Sequence, residues 1–232
     1  ELGGRLWSLY DKKNGKDLVY CNDSVKYANL ALCNAWVAGG VEWNLGIKGH
    51  SPYTCRPLFA KAVKGKQGND ILRMYEYEEI RGLVYAVEAT LTPDGLAVHM
   101  TVDNTRNTPT LMYWWSNIAA PQNVGTRVYV PTNQTYVTSY REGGYFLSMK
   151  DVPISDGVDI SDPYHAPCAI DYFYNIPKEN PKWISSVEAD GFGLLHYSDM
   201  QLIGRKTFLW GKSTGGQHWN EWLTTGRDYL EI

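Results

Sequence analysis

The stretch GLVYAVEATLTPDGLAVHMTVDN, residues 82–104, decides the fold class. Apolar side chains occupy every second position over residues 83–91, and the same alternation resumes over residues 96–102. Between the two runs stands TPDG, in which Pro93 and Gly95 suit a tight turn. An alternation with a period of two on both sides of a turn predicts a half-buried antiparallel β-hairpin.

The same pattern continues along most of the chain. The sequence RLWSLYDKKNGKDLVY, residues 5–20, predicts another hairpin with Asn14 and Gly15 in its turn. Helical periodicity is limited to a short segment at residues 217–223, and residues 151–183 are expected to form a long irregular excursion. Further strands are predicted at residues 111–118, 127–130, 135–140, 145–149, 193–197 and 206–210. The chain is therefore expected to be all-β, a large antiparallel β-sandwich forming a single domain over residues 1–232.

Composition excludes several classes of function. The 232 residues carry a net charge of -3 without a basic run, so we expect no nucleic-acid partner. No apolar stretch has the length of a bilayer span, so no membrane partner is expected. Both ends resemble interrupted strands, which suggests a fragment of a longer chain. There are 9 Trp and 17 Tyr but only 5 Phe, a bias that suits partly wet binding surfaces.

Metal and cofactor chemistry is not expected from the sequence. The four cysteines, Cys21, Cys33, Cys55 and Cys168, lack C-x-x-C spacing, and they could form two disulfides or remain thiols. Patterns such as H-x-H, a G-x-S-x-G elbow and a phosphate-binding glycine loop are also missing.

The segment GGVEWNLGIKGHSP, residues 39–52, is the first candidate site and is expected to form a loop. Glu42 could accept hydrogen bonds from sugar hydroxyl groups or act as a base, and Trp43 offers a flat face for a pyranose ring. Asn44 and His50 can both donate and accept hydrogen bonds. The alternative is an ordinary turn with Trp43 in the core and Glu42 in solvent.

Three further segments supply candidates. In YWWSNIAAP, residues 113–121, Trp115 and Asn117 are candidate ligand contacts, against the alternative of a buried strand. His196 in GLLHYSDM is another candidate, although a strand histidine is more often structural. Near the C-terminus, Trp210 is a candidate contact, and Glu231 stands in an apolar strand, where an unpaired charge is costly.

Four segments carry a resemblance to a known superfamily. The segment LGGRLWSLYDKKNGKDLVY resembles the opening of the galactose-mutarotase-like supersandwich, which has a G-G-R-[IL]-x-S-L strand pair. Together, ANLALCNAWVAGGVEWNLGIKGHSP, YWWSNIAAP and FLWGKSTGGQHWNEWL resemble one branch of it, an uncharacterised bacterial domain family often joined to tetratricopeptide repeats. The resemblance covers most of the chain.

The resemblance implies a twisted antiparallel β-supersandwich with a carbohydrate site on its concave face. Glu231 in YLEI is similar to the glutamate base of aldose mutarotases, so Glu42 and Glu231 are the candidate catalytic residues. The histidine of the mutarotase N-H-x-Y-F motif has no counterpart, and Asn117 of WWSNIAA stands in its place.

Three functions are compatible with the sequence. The leading hypothesis is a carbohydrate-binding domain with Trp43, Asn44, His50, Trp115, Asn117, His196 and Trp210 near a mono- or oligosaccharide. The alternatives are an epimerase-like, hydrolase or lyase module using Glu42 or Glu231, and a structural module that assembles with other domains of the full-length chain.

Overall fold

A computed structural model of the protein describes residues 1–29, 36–45, 49–141, 144–224 and 228–232, with backbone only at 140, 141 and 144–146. The strands, in chain order, are β1 (Tyr10–Asp11), β2 (Lys16–Asp17), β3 (Val41–Leu45), β4 (Phe59–Lys64), β5 (Asp70–Glu78), β6 (Leu83–Thr92), β7 (Gly95–Asn104), β8 (Trp114–Pro121), β9 (Arg127–Tyr129), β10 (Gln134–Arg141), β11 (Gly144–Asp151), β12 (Ile154–Ser155), β13 (Val158–Asp159), β14 (Ala169–Tyr174), β15 (Lys182–Val187), β16 (Gly193–Ser198), β17 (Arg205–Leu209) and β18 (Tyr229–Glu231). The α-helix among the described residues is α1 (Thr214–Leu223), and short 3-10 turns lie at Leu2–Gly4 and Pro163–His165. The predicted all-β class with antiparallel sheets is confirmed.

The chain divides into two compact units, each built from three separate segments. The first unit contains Glu1–Arg5, Tyr27–Trp36 and Glu42–Ser116. The second unit contains Leu6–Lys26, Val37–Val41 and Asn117–Ile232.

The first unit contains a four-stranded antiparallel sheet in the order β4-β5-β6-β7. The β6–β7 hairpin pairs Leu91 with Leu96 and Thr92 with Gly95, as the alternation in residues 82–104 predicts. Tyr85 and Val87 on β6 are buried, while their neighbours Val84 and Glu88 remain partly accessible. Ala86, between Tyr85 and Val87, is also buried and Leu91 is 75% exposed, so the burial follows the predicted period of two only in part.

The second unit contains a sheet in the order β11-β10-β14-β17-β18-β8-β3, to which β8 contributes Asn117–Pro121 and β3 its first residue, Val41. A three-stranded sheet, β16-β15-β9, contacts it through β15 and β17. Arg205 on β17 donates from Nη2 to the Lys182 carbonyl of β15 over 2.5 Å. The predicted β1–β2 hairpin is present, with Gly15 at a φ of 66°.

Two predictions of irregular structure were wrong. Val41–Leu45, expected in a loop, is the buried strand β3, and residues 151–183 contain β14, a strand with neighbours on both sides in the larger sheet. In both segments apolar residues do alternate, at positions 41, 43 and 45 and at positions 170, 172 and 174, but the carboxylate between them, Glu42 or Asp171, is buried as well. Before β3, Gly40 has a φ of 66°, and a Cβ there would lie 2.2 Å from the Leu6 carbonyl oxygen.

The predicted C-terminal helix is confirmed, and it begins three residues earlier than expected, at Thr214. The Ser213 hydroxyl caps it by accepting a hydrogen bond from the Gly216 backbone N–H over 3.3 Å. Of the cysteines, Cys168 is a buried thiol, whereas Cys33 lies outside the described residues.

Candidate functional site

In the first unit, Glu42 is a buried carboxylate surrounded by hydrogen-bonding and charged groups. It is only 1% exposed. Trp36 Nε1 donates to Oε2 over 3.1 Å, and the Thr54 hydroxyl donates to Oε1 over 2.7 Å. Arg5 Nη2 lies 3.9 Å from Oε2 and donates to the Thr54 hydroxyl over 3.1 Å. We call Glu42, Arg5, Trp36, His50 and Thr54 the Glu42 cluster.

Opposing effects set the pKa of Glu42. Burial is the largest single effect and raises the pKa, because it penalises the charged form. The charge of His50 and its hydrogen bond, the charge of Arg5 and the Thr54 hydroxyl together outweigh burial and lower the pKa of Glu42 to about 2. Glu42 is therefore an ionised, purely hydrogen-bond-accepting group at neutral pH.

Glu42 orients the imidazole of His50. His50 Nδ1 lies 3.1 Å from both carboxylate oxygens. Because an ionised carboxylate has no proton to donate, Nδ1 carries the hydrogen of this contact. The ring meets Trp36 edge-on at a centroid distance of 5.3 Å and tilts against Trp115 at 5.0 Å. With 19% of its side chain exposed, His50 is held by Glu42 between two indole rings.

Trp43 and Asn44 support the backbone next to this cluster. Trp43 is buried, and its Nε1 donates to the Gly4 carbonyl over 3.0 Å. Asn44 is also buried, and its Oδ1 accepts from the Ser51 backbone N–H over 2.6 Å. Asn44 thus ties β3 to the segment that carries His50.

The second unit has polar and aromatic side chains on one face of its larger sheet. Directly paired residues of antiparallel neighbours point to the same face. The register pairs Thr138 with Asp171, Asp171 with Phe208, and Phe208 with Glu231, which forms one row across β10, β14, β17 and β18. Residues two positions along a strand share that face. We define the sheet-face site as this row with its same-face neighbours: Asn117, Tyr136, Thr138, Asp171, Phe173, Lys206, Phe208 and Glu231.

Asp171 and Lys206 form the charged part of the sheet-face site. Lys206 Nζ donates to Asp171 Oδ1 over 3.0 Å, and the Thr138 hydroxyl donates to Oδ2 over 3.4 Å. The same ammonium lies 5.8 Å from the ring centroid of Phe173 and 6.0 Å from that of Phe208. Asp171 is buried, while the Lys206 side chain is 20% exposed and so reaches the surface of the face.

Two aromatic rings on this face are open to solvent. Register pairs Tyr136 with Phe173 and Phe173 with Lys206. Tyr136 is 43% exposed and Phe173 is 41% exposed. This face of the sheet thus presents two exposed aromatic rings beside the Lys206–Asp171 ion pair.

Glu231 and Asn117 form the buried polar end of the site. Asn117 Nδ2 donates to Glu231 Oε2 over 2.8 Å, and both residues are buried. Asn117 Oδ1 is buried without a hydrogen-bond partner among the described residues. Because burying an unpaired carbonyl oxygen is costly, this atom is a candidate acceptor for a ligand.

Contacts within each unit bring some of the sequence candidates together. In the first unit they join Glu42, His50 and Trp115. In the second they join Asn117 and Glu231.

His196 and Trp210, both in the second unit, lie outside the Asn117–Glu231 pair. His196 lies on β16 of the three-stranded sheet, and burial, followed by the charge of Arg205, lowers its pKa to about 4. This neutral histidine fits a structural role. Trp210 follows β17 and packs edge-on against Phe208 and Tyr229.

Sequence reasoning missed Asp171, Lys206, Arg5 and Thr54. A usable signal exists for Asp171: it stands inside the apolar run AIDYFY, the same kind of position that singled out Glu231. Lys206, Arg5 and Thr54 carry no local signal, because their roles depend on partners that lie far away in sequence.

Across the described ranges, no group of three or more His, Cys, Asp or Glu side chains is arranged to hold a metal ion. Within the same ranges, no helix combines the length and the apolar character needed to span a bilayer.

Comparison with solved structures gives a close match in fold. The chain is similar to the crystal structure of a TPR-domain containing protein from Parabacteroides distasonis ATCC 8503, with a TM-score of 0.83 and 24% sequence identity. The match covers 100% of this chain and 39% of that chain, so the present chain spans well under half of its neighbour. At this identity the likeness shows the fold alone.

Comparison with protein families covers the full length. Residues 1–232 match the family described as "Domain of unknown function (DUF5107)". The chain belongs to this family.

Proposed function

We propose that the protein is a carbohydrate-binding domain and that the sheet-face site holds the sugar. The observation that carries the proposal is the exposed Phe173 ring directly beside the Lys206–Asp171 ion pair. A pyranose has an apolar C–H face and a rim of hydroxyl groups. An open aromatic face with adjoining charged donors and acceptors matches both parts of such a ligand.

The proposal assigns a role to each part of the site. Phe173 and Tyr136 pack against the C–H face of the sugar. Lys206 donates to a hydroxyl oxygen, while Asp171 accepts from a hydroxyl group. Asn117 Oδ1 accepts a further hydroxyl hydrogen, which supplies the partner that this buried atom lacks among the described residues.

The resemblance to the galactose-mutarotase-like superfamily supports the same placement. That superfamily binds carbohydrate on a sheet face, and here the larger sheet carries Glu231, the residue similar to the mutarotase base. We infer membership of this superfamily from the sequence motifs. We also propose that the natural chain contains further domains, in line with the TPR-domain content of its structural neighbour.

The first experiment measures binding of a panel of mono- and oligosaccharides by isothermal titration calorimetry. We expect Phe173→Ala to weaken binding about tenfold, since an aromatic contact is worth roughly 0.5–1.5 kcal/mol beyond its buried area. Phe59→Ala is the matched control, because Phe59 is an exposed phenylalanine on β4 of the first unit. The proposal fails if no sugar binds, or if both variants bind as wild type does.

A second candidate function is glycoside hydrolysis. Asp171 and Glu231 lie on the same row with only β17 between their strands, so their Cα atoms are about 10 Å apart at the usual strand spacing. Inverting glycosidases place two carboxyl groups roughly 6.5–9.5 Å apart, which side chains can reach from such backbone positions. Turnover of aryl glycosides that disappears in both Asp171→Asn and Glu231→Gln supports this function, and sugar binding without turnover removes it.

Glu42 fits an enzymatic role less directly than the sequence suggests. With a pKa of about 2, it has no proton to donate near neutral pH. In this geometry it positions His50, and any proton transfer in the first unit falls to the imidazole.

A further inference from the structure

A small, partly open cavity of about 30 Å³ lies in the second unit beyond the end of β17. Aromatic side chains of Tyr164, Trp210 and Tyr229 form part of its wall. Asn220 and Gln217 of α1 and Asp228 before β18 supply polar groups to the same lining. Because Lys212 also lines it, the cavity combines apolar ring faces with uncharged, acidic and basic groups.

The segment FLWGKSTGGQHWNEWL builds this cavity through close backbone contacts. Gly211 has a φ of +72°, and a Cβ there would lie 2.2 Å from the Cys168 backbone. A Cβ on Gly216, in the first turn of α1, would lie 1.9 Å from the Trp210 carbonyl oxygen. The two glycines thus let the chain turn after β17 and bring the start of α1 against Trp210.

A hydrogen-bond network fixes the polar groups of the cavity. Asn220 Nδ2 donates to Asp228 Oδ1 over 2.7 Å. The Tyr164 hydroxyl lies 3.2 Å from Asp228 Oδ2 and 3.1 Å from the Gln122 carbonyl, either of which accepts its hydrogen. Burial, and then the charge of Asp228, raise the pKa of Tyr164 to about 12, so its hydroxyl stays protonated. Because Asp228 takes the amide hydrogen, the Asn220 amide presents Oδ1 as its remaining acceptor.

Two buried polar atoms in the lining are left unsatisfied. Trp210 Nε1, a donor, and Asn220 Oδ1, an acceptor, have no hydrogen-bond partner within the described part of the chain. Asn220 is 5% exposed. Leaving such groups unmet costs roughly 1–3 kcal/mol each. A hydroxyl group suits either atom, since it can accept from an indole N–H and donate to an amide oxygen.

We propose that this cavity is a second binding site, one that takes a hydroxyl-bearing end of a small neutral polyol. The aromatic walls pack against its carbon chain, and Trp210 and Asn220 bind its hydroxyl groups. The cavity adjoins the end of the sheet-face site at Phe208, which Trp210 contacts, but it is separate from the ion pair: Lys206 and Trp210 are four residues apart along β17 and its extension, about 13 Å at the usual rise per residue.

The test is a titration of isotope-labelled protein with glycerol and erythritol, followed by the assigned indole N–H resonance of Trp210. We expect a saturable shift of this resonance with both polyols. The ether 1,2-dimethoxyethane accepts hydrogen bonds but cannot donate to Asn220, and we expect it to bind at least fivefold more weakly. Trp210→Phe should weaken glycerol binding about fivefold, as read from neighbouring resonances.

Matched variants separate this site from the one under "Proposed function". Trp219→Phe, an exposed tryptophan on α1 outside the cavity lining, should bind glycerol as wild type does. Phe173→Ala should leave the Trp210 shift intact even though it weakens sugar binding at the sheet face. A Trp210 resonance that never shifts, or shifts linearly without saturation, means that the cavity holds only water and overturns the proposal.

Discussion

Replacing Glu42 with Gln should remove a large part of the acid sensitivity of the fold. The carboxyl has an ordinary pKa of 4.5 and a pKa of about 2 in the folded protein. Since each pH unit of pKa difference corresponds to about 1.4 kcal/mol, its ionisation contributes about 3 kcal/mol to the free energy of unfolding at neutral pH.

The sign of the effect follows from the lowered pKa. The unfolded chain binds the proton more readily than the fold does, so the stabilisation is complete above pH 4.5 and disappears as the pH falls toward 2. At pH 3 about 2 kcal/mol of it should already be lost. Glutamine has no such ionisation, so the variant should show a smaller loss of stability between pH 7 and pH 3.

The variant should also be less stable at neutral pH. Arg5, whose side chain is 3% exposed, and His50 both lose the negative charge next to them. Removing one partner of a buried ion pair typically costs roughly 3–5 kcal/mol.

The assay is urea unfolding of wild type and Glu42→Gln at pH 7 and pH 3, with Glu221→Gln as the control. Glu221 is exposed on α1, so its replacement should preserve the pH dependence of wild type. If Glu42→Gln loses as much stability as wild type does between the two pH values, the ionised state assigned to Glu42 is wrong.

Three other predictions concern local packing, titration and cooperativity. Gly216→Ala should destabilise the fold by several kcal/mol in urea unfolding, because its Cβ would overlap the Trp210 carbonyl, whereas Gly215→Ala, with open space around it, should be neutral or stabilising by up to about 1 kcal/mol. His196, with a pKa lowered to about 4, should stay neutral by NMR down to pH 5. The wild-type protein should therefore lose stability as the pH falls from 6.5 toward 4, and His196→Phe should lack the part of this loss that His196 causes. Because each unit draws on three separate chain segments, calorimetry should show one cooperative transition with equal calorimetric and van't Hoff enthalpies, and two resolved transitions would contradict the single-domain prediction.

Alternation of apolar residues predicted the regular hairpins well. This alternation spans β6 and β7, whose pairing is regular from Leu83–Asn104 to Thr92–Gly95, although the apolar side chain of Leu91 is 75% exposed. The prediction failed at β3 and β14. Each of these strands carries a buried carboxylate between apolar residues, and distant partners stabilise it: Arg5 for Glu42 and Lys206 for Asp171. Pairings across tens of residues leave no local pattern to read.

The two mispredicted strands, β3 and β14, also carry residues of the candidate sites. A charge inside an apolar strand is expensive, so the sequence identified Glu231 on that ground, and the rule applied to every strand also finds Glu42 and Asp171. The rule needs a second criterion, because Lys182 is equally buried and purely structural: its ammonium donates to the carbonyls of Pro177, Lys178 and Asn180.

What distinguishes a binding site from such a structural charge is its surroundings. Lys182 is fully enclosed by its own loop, whereas the Lys206–Asp171 pair adjoins the exposed rings of Phe173 and Tyr136. Asn117, on the same face, retains a buried oxygen without a partner among the described residues. An enclosed and satisfied charge has no capacity left for a ligand, while a charge beside open aromatic rings and an unmet acceptor does. This difference in surroundings directs the proposal of sugar binding to the larger sheet.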